Sequence, residues 1–194
     1  MIADVLRFLR DRLNKAVPRD SSGGPVEDLF VYVGADREDA VSFKSDAVSM
    51  LLIRIEEDAT LRPPDLYARG SSDGTRQKVE PEIRMNLYIL FVARFPDDYS
   101  RALHNLSRVI RYFQNHRVFN QENSPDLDDG LYQLILELVT PSFSEQNEIW
   151  GSLRAAYLPS AMYKLKLIVF QDQDARSLAA TKELIHAVSQ APSP

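Results

Sequence analysis

No cysteine occurs anywhere in the chain. That removes disulfides, thiolate metal ligands and cysteine nucleophiles together. No apolar run approaches the roughly 20 residues that a membrane-spanning helix needs, so direct membrane insertion is not expected. The opening stretch "MIADVLRFLRDRLNK" is broken by charges every two or three residues, unlike a signal peptide. Glycine is scarce, with seven residues in 194. The glycine-containing loop "RGSSDGT" lacks the Lys-Ser/Thr ending of a phosphate-binding loop. Positive charge is also in deficit: the net charge is −5, which leaves no nucleic-acid footprint over the chain as a whole. Of the three histidines, none lies in an H-E-x-x-H helix, and no G-x-S-x-G elbow is present.

What remains, 44% hydrophobic and 26% charged, is ordinary globular composition. Ile2, Val5, Leu6, Leu9 and Leu13 recur at helical spacing, with Arg7, Arg10, Asp11 and Arg12 on the other side. Strands are expected at 29–33 and 47–58. Residues 59–82 hold three prolines and two glycines and show no period, which predicts a long, mobile loop. "IRMNLYILFVARF" (83–95) alternates but is apolar on both sides in its middle, the pattern of a central or doubly covered strand. A helix follows, with Tyr99, Ala102, Leu103, Leu106, Val109, Ile110 and Phe113 on one stripe and Asp97 or Asp98 as cap. Its other side carries Arg101, His104, Arg108, Arg111 and His116.

After a turn-rich loop, "LYQLILELV" (131–139) alternates with Tyr132, Leu134, Leu136 and Leu138 on one face. Ser142 and Glu145 have capping-box spacing and start a third helix. "AMYKLKLIVF" (161–170) is the last strand, and "LAATKELIHAV" in the tail is a weak helix candidate. The order predicts an α+β single domain with a mixed sheet of about four or more strands and helices packed across it.

No constellation for catalysis or metal binding stands out. Glu56, Glu57 and Asp58 are consecutive on a strand, so they point to alternate faces and do not converge. "SPDLDDG" fails the calcium-loop spacing after Asp128 and reads as a turn. The basic helix side lacks interleaved aromatics apart from Tyr112, which favours an acidic protein partner over nucleic acid.

Six stretches carry a resemblance: "MIADVLRFLRDRLN", "LLIRIEEDATLR", "MNLYILFVARFPDDYSRALHNLSRVIRYFQ", "VFNQENSP", "LILELVTPSFSEQNEIWGSL" and "AAYLPSAMYKLKLIVF". In order and wording they resemble the cap, or tail-terminator, proteins of phage-tail-like contractile injection systems, a domain-of-unknown-function family. The resemblance covers about residues 1–171, with 172–194 as a short tail. It is weak between Val17 and Ala47 and in the 59–82 loop. It implies a tail-terminator-like fold and a bacterial structural protein without catalytic residues, metal or cofactor. The protein would be a ring homo-oligomer, a hexamer, seated on the baseplate-distal end of the inner tube and sheath. It would be made in the cytoplasm and carried in the particle. Two alternatives stay open: an adaptor that binds tube, sheath or baseplate without ending growth, and a hydrolase using His104 or His116.

Two sets of residues are singled out. The family's pattern of helix, Trp-Gly, Tyr-Leu-Pro and strand falls on Trp150, Gly151, Leu153, Tyr157 and Pro159. Here Trp150, Leu153 and Tyr157 are expected to clamp the helix on the sheet. Gly151 is expected to allow close approach and Pro159 to stop the helix. Ring contacts are expected at Arg7, Arg10, Arg101, His104, Arg108 and Arg111, and loop contacts with tube or sheath at Arg69 and Arg76.

Overall fold

The computed structural model describes residues 2–17, 28–35, 41–58, 69–70, 76–78, 84–128, 130–169 and 176–177. The chain divides into two units. The first comprises Met1–Thr60 and Glu82–Phe170. Its elements run α1 (Ile2–Ala16), β1 (Phe30–Tyr32), β2 (Gly34–Ala35), β3 (Val41–Ser42) and β4 (Ala47–Glu57). In the second unit, Leu61–Pro81 with Gln171–Pro194, lie β5 (Arg69–Gly70) and β6 (Arg76–Lys78). The first unit resumes with β7 (Arg84–Arg94), α2 (Tyr99–Asn115), β8 (Val118–Asn120), β9 (Leu131–Val139), α3 (Phe143–Ser152) and β10 (Ser160–Val169). The second unit adds β11 (Arg176–Ser177).

Six strands of the first unit form one sheet in the order β1-β4-β7-β10-β9-β8. Every neighbour is antiparallel except the β1–β4 pair. The strand that is apolar on both sides, β7, lies inside this sheet, between β4 and β10, as its pattern requires. Leu87, Ile89, Phe91 and Ala93 point to one face and Leu90 and Val92 to the other, and all six are buried.

The first face carries the larger core. α1 contributes Val5, Phe8, Leu9 and Leu13, and α2 contributes Ala102, Leu106, Val109 and Phe113. Against them pack Phe30, Met50, Phe91, Leu134, Leu136, Tyr163 and Leu165 from five strands. Rings meet edge-on or tilted, with Phe91 5.6 Å from Phe113 and 5.8 Å from Tyr163. On the opposite face a smaller cluster joins Phe43, Leu90, Val92, Trp150 and Met162, and α3 covers it.

Three sequence expectations are corrected. The apolar stripe of α2 is narrower than its spacing suggests: Tyr99, Leu103 and Ile110 are exposed, and Asn105 takes a buried place. On β9 a register irregularity opposite Ile168–Val169 switches the face at its start, so Leu131 is buried and Tyr132 exposed, and at its far end Leu138 is exposed as well. The 59–82 segment, read as a loop, contributes β5 and β6, which pair with β11 in a three-stranded antiparallel sheet. Strands of two or three residues are too short for a period to register. The tail helix expected at 178–188 lies outside the described residues.

α1 touches both outermost strands of the six-stranded sheet. The Asn14 side-chain amide donates to the Phe30 carbonyl at 3.0 Å and its oxygen accepts the Phe30 N–H at 2.9 Å. A side chain thereby supplies the donor and acceptor that a further strand would have offered to β1. At the other edge Phe8 meets Phe119 of β8 edge-on, with centroids 5.4 Å apart. Arg12 lies over the Phe8 ring and its guanidinium donates to Asp126, just beyond β8.

Asn14→Ala leaves both Phe30 backbone groups without a partner and is expected to cost about 1–3 kcal/mol. Chemical denaturation measures it, and an unchanged midpoint would show that water replaces the amide. Burial of Tyr163 pushes its hydroxyl up to about 12, against about 10 in the unfolded chain. The folded state therefore holds this proton longer, and stability is lost as pH rises from about 10 through 12. Tyr163→Phe is expected to flatten that part of a stability-against-pH curve.

Candidate functional site

The first candidate is the corner around the single tryptophan. Ser142 opens α3 with both bonds of a capping box: its hydroxyl accepts the Glu145 N–H at 3.3 Å, and the Glu145 carboxylate accepts the Ser142 N–H at 2.8 Å. The Ser142 N–H and, at 2.8 Å, the Ser142 hydroxyl both donate to the Glu145 carboxylate and hold it below its ordinary range. Two turns later Trp150 is 5% exposed, with its ring 5.9 Å from Phe43 and 5.5 Å from Tyr157. Ile149, Leu153, Ala155 and Leu158 pack partly buried around it. The clamp expected at Trp150, Leu153 and Tyr157 thus has all three side chains gathered, although Tyr157 keeps more than half its surface in solvent.

Two parts of the expected corner need correction. Among the described residues a Cβ on Gly151 would meet nothing within 4 Å, so there this glycine serves no close approach. Nor does Pro159 stop the helix, which ends at Ser152. The stop is Arg154, with φ at 50° in the left-handed region. Its N–H donates to the Gly151 carbonyl at 3.2 Å, and the Ala155 N–H donates to the Trp150 carbonyl at 3.5 Å. These are the two bonds of a Schellman motif, built with arginine where glycine is usual. Pro159 is buried at the entrance to β10, and its carbonyl accepts the Ala93 N–H at 3.0 Å.

The second candidate is the basic set. On α1, Arg7 pairs with Asp4 at 3.1 Å. Arg10 pairs with Asp11 at 2.7 Å and lies 4.9 Å from the centre of the Tyr32 ring. Both arginines thus have an acidic neighbour on their own helix, in surface pairs worth little by themselves. On α2, Arg101 lies over the Phe95 ring and Arg108 reaches Asn105 at 3.5 Å. His104 and Arg111 are exposed, with no side-chain partner among the described residues. Arg69 and Arg76 fall on β5 and β6 of the second unit, opposite Gln77 and Gly70.

Three residues that sequence reasoning passed over matter to these surfaces. Arg12 and Asn14 tie α1 to the two sheet edges, and Arg154 ends α3. Asn14 sits in a helix where asparagine is a weak helix former, a signal that it is kept there for another purpose. Arg12, with Tyr112, His116, Arg117 and Asn123, also lines an open groove of about 400 Å³.

Among the described residues no group of three His, Cys, Asp or Glu side chains can hold a metal ion. His116 stacks on Tyr112, its Nδ1 3.0 Å from the Tyr112 carbonyl. Neither it nor His104 is joined to a serine and a carboxylate there; His186 lies outside the described residues. The Asp126 carboxylate of "SPDLDDG" serves Arg12, and Asp128 accepts the Gly130 N–H at 2.8 Å, so the segment is a turn. No described helix is long and apolar enough to cross a membrane.

The first unit is an α+β domain of the tail-terminator type. The chain is similar to the sheath/tube terminator of PVC, an extracellular contractile injection system, in its extended state, with a TM-score of 0.56 and 21% identity. A second match is the tube-terminating cap of the anti-feeding prophage, with a TM-score of 0.55 and 18% identity. Both comparisons cover 100% of this chain, which spans 64% and 62% of the respective longer chains. No curated protein matches. The chain belongs to the Pvc16 N-terminal domain family, whose model matches residues 4–181.

Trp150→Ala empties a ring-sized site in the smaller core and is expected to cost about 3–5 kcal/mol. Arg154→Gly and Gly151→Ala are each expected to stabilise by roughly 0.5–1 kcal/mol, one relieving the left-handed arginine and the other raising helix propensity in open space. Thermal melts of the three variants check both directions. Destabilisation by Gly151→Ala would mean that the glycine has a contact outside the described residues.

Proposed function

We propose that this chain caps the tube and sheath of a contractile injection particle and ends their growth. The observation that carries the reading is the family match over residues 4–181, on a fold shared with two terminators. The particle would be of the extracellular type, the partners the inner tube and sheath proteins, and the working form a ring of copies, six by the family resemblance.

The physics of the surfaces supports it. A terminator has to match the end of a growing polymer and offer the next subunit nothing equivalent. The six-stranded sheet is packed differently on its two faces, with α1 and α2 on one and α3 on the other. Its outermost strands are only three residues long, and both are engaged by α1, so they are poor templates for further strand addition. No converging acid–base or metal-binding groups are found among the described residues, and the reading requires none.

Electron microscopy of particles from cells lacking this chain tests the proposal. Sheath–tube lengths are expected to become irregular, or extended particles to disappear while free tubes and baseplates remain. Uniform lengths with altered attachment alone would overturn termination in favour of an adaptor.

A further inference from the structure

The first turn of α3 and the outward side of α2 are both unspent surfaces, and they are unlike each other. Phe143, the first residue of α3, is 93% exposed. It lies on the same helical stripe as the buried Trp150, seven residues and roughly 10 Å further back along the axis. The start of α3 thus carries its apolar stripe beyond the core and leaves a large ring in solvent.

α3 contains Glu145 and Glu148 and no basic residue. Glu145 is used by its own cap, and Glu148 accepts only from the Ser144 hydroxyl, at 3.4 Å. Neither has a cationic partner among the described residues.

α2 has the opposite character. It contains Arg101, Arg108, Arg111 and His104 and no acidic residue. Along its outward side Tyr99, Leu103 and Ile110 are exposed. Between the last two, Ser107 folds its hydroxyl back onto the Leu103 carbonyl at 2.8 Å. That small side chain leaves a low point flanked by two aliphatic walls, with the unpartnered Arg111 and His104 beside it.

We propose that copies of this chain associate head to tail, the Phe143 turn of α3 in one copy seating on the Leu103–Ser107–Ile110 hollow of α2 in the next. The apolar knob fills the apolar hollow, and the acidic helix meets the basic one. The two surfaces belong to helices packed on opposite faces of the sheet. The contact is therefore heterologous, the kind that generates rings when the rotation closes. It rests on the capping role only for what such a ring would do, and it identifies the contact by which the proposed ring forms.

Sedimentation of the purified full chain tests this with Glu148→Arg and Arg111→Glu. Both positions are exposed, so unchanged thermal melts establish that each variant folds. Each single reversal sets like charges together and is expected to weaken self-association on the order of tenfold or more. Phe143→Ala is expected to weaken it as well. The double variant, and a one-to-one mixture of the two single variants, are expected to recover association, because each restores an acid facing a base. Single variants that associate like the wild type, or a wild-type chain that stays monomeric, would overturn the proposal. So would loss without recovery, which would assign the two helices to a different partner. The assay needs neither tube nor sheath. A chain that limits tube length yet ignores the charge swap refutes this contact alone, and one that obeys the swap but leaves tube length unchanged refutes the capping role alone.

Discussion

The six-stranded sheet depends on one helix at its two margins. α1 is bound to the edge strand β1 through the Asn14 amide and to the edge strand β8 through Phe8 and Arg12. An open sheet ends in unpaired backbone groups on both sides, and here a single amphipathic element engages both ends. Its buried residues Val5, Phe8, Leu9 and Leu13 then complete the large core, so edge protection and core burial are the same event. A helix able to do both must place Asn14 and Phe8 at a fixed separation along its axis. That makes its rigidity as important as its hydrophobicity.

Against that frame α3 plays a lighter part. It covers the second face with one fully buried side chain, Trp150, and owes its definition to its ends: a capping box at Ser142 and a Schellman turn at Arg154. A helix this short is marginal on its own, so it is held by the packing of Trp150 and delimited by its two capped ends. Its polar length and projecting first turn are then left for contacts outside the fold. The bias toward acid on this element and toward base on α2 gives the protein two electrically distinct sides, although the chain as a whole is only modestly negative.

Much of this was legible in the sequence, and the misses have physical causes. Long strands announced themselves by alternation: β7 was readable as central because Leu90 and Val92 broke the polar side, and β9, β10 and the Ser142 cap followed from spacing. The width of the α2 stripe did not, because seven apolar residues fit one side of a helix, and only tertiary packing decides that Tyr99, Leu103 and Ile110 stay outside. Leu131 and Tyr132 exchanged places through a backbone irregularity that no side-chain pattern encodes. At the corner, proline drew attention to position 159, while the true stop lay five residues earlier in an arginine adopting a glycine-like conformation. The basic candidates were found by type, but type could not separate the arginines with an acidic neighbour on α1 from Arg111.

The double attachment of α1 also bears on the order in which the molecule comes together. Of the described elements α1 is made before the rest, yet one of its partners, Asp126, lies 114 residues after Arg12, with Phe119 close before it. Contacts of such long sequence separation slow folding and leave apolar surface uncovered while the chain grows. α1 is therefore among the last of these elements to be fully seated. During synthesis its apolar stripe has to be sheltered by something other than the sheet it will finally close.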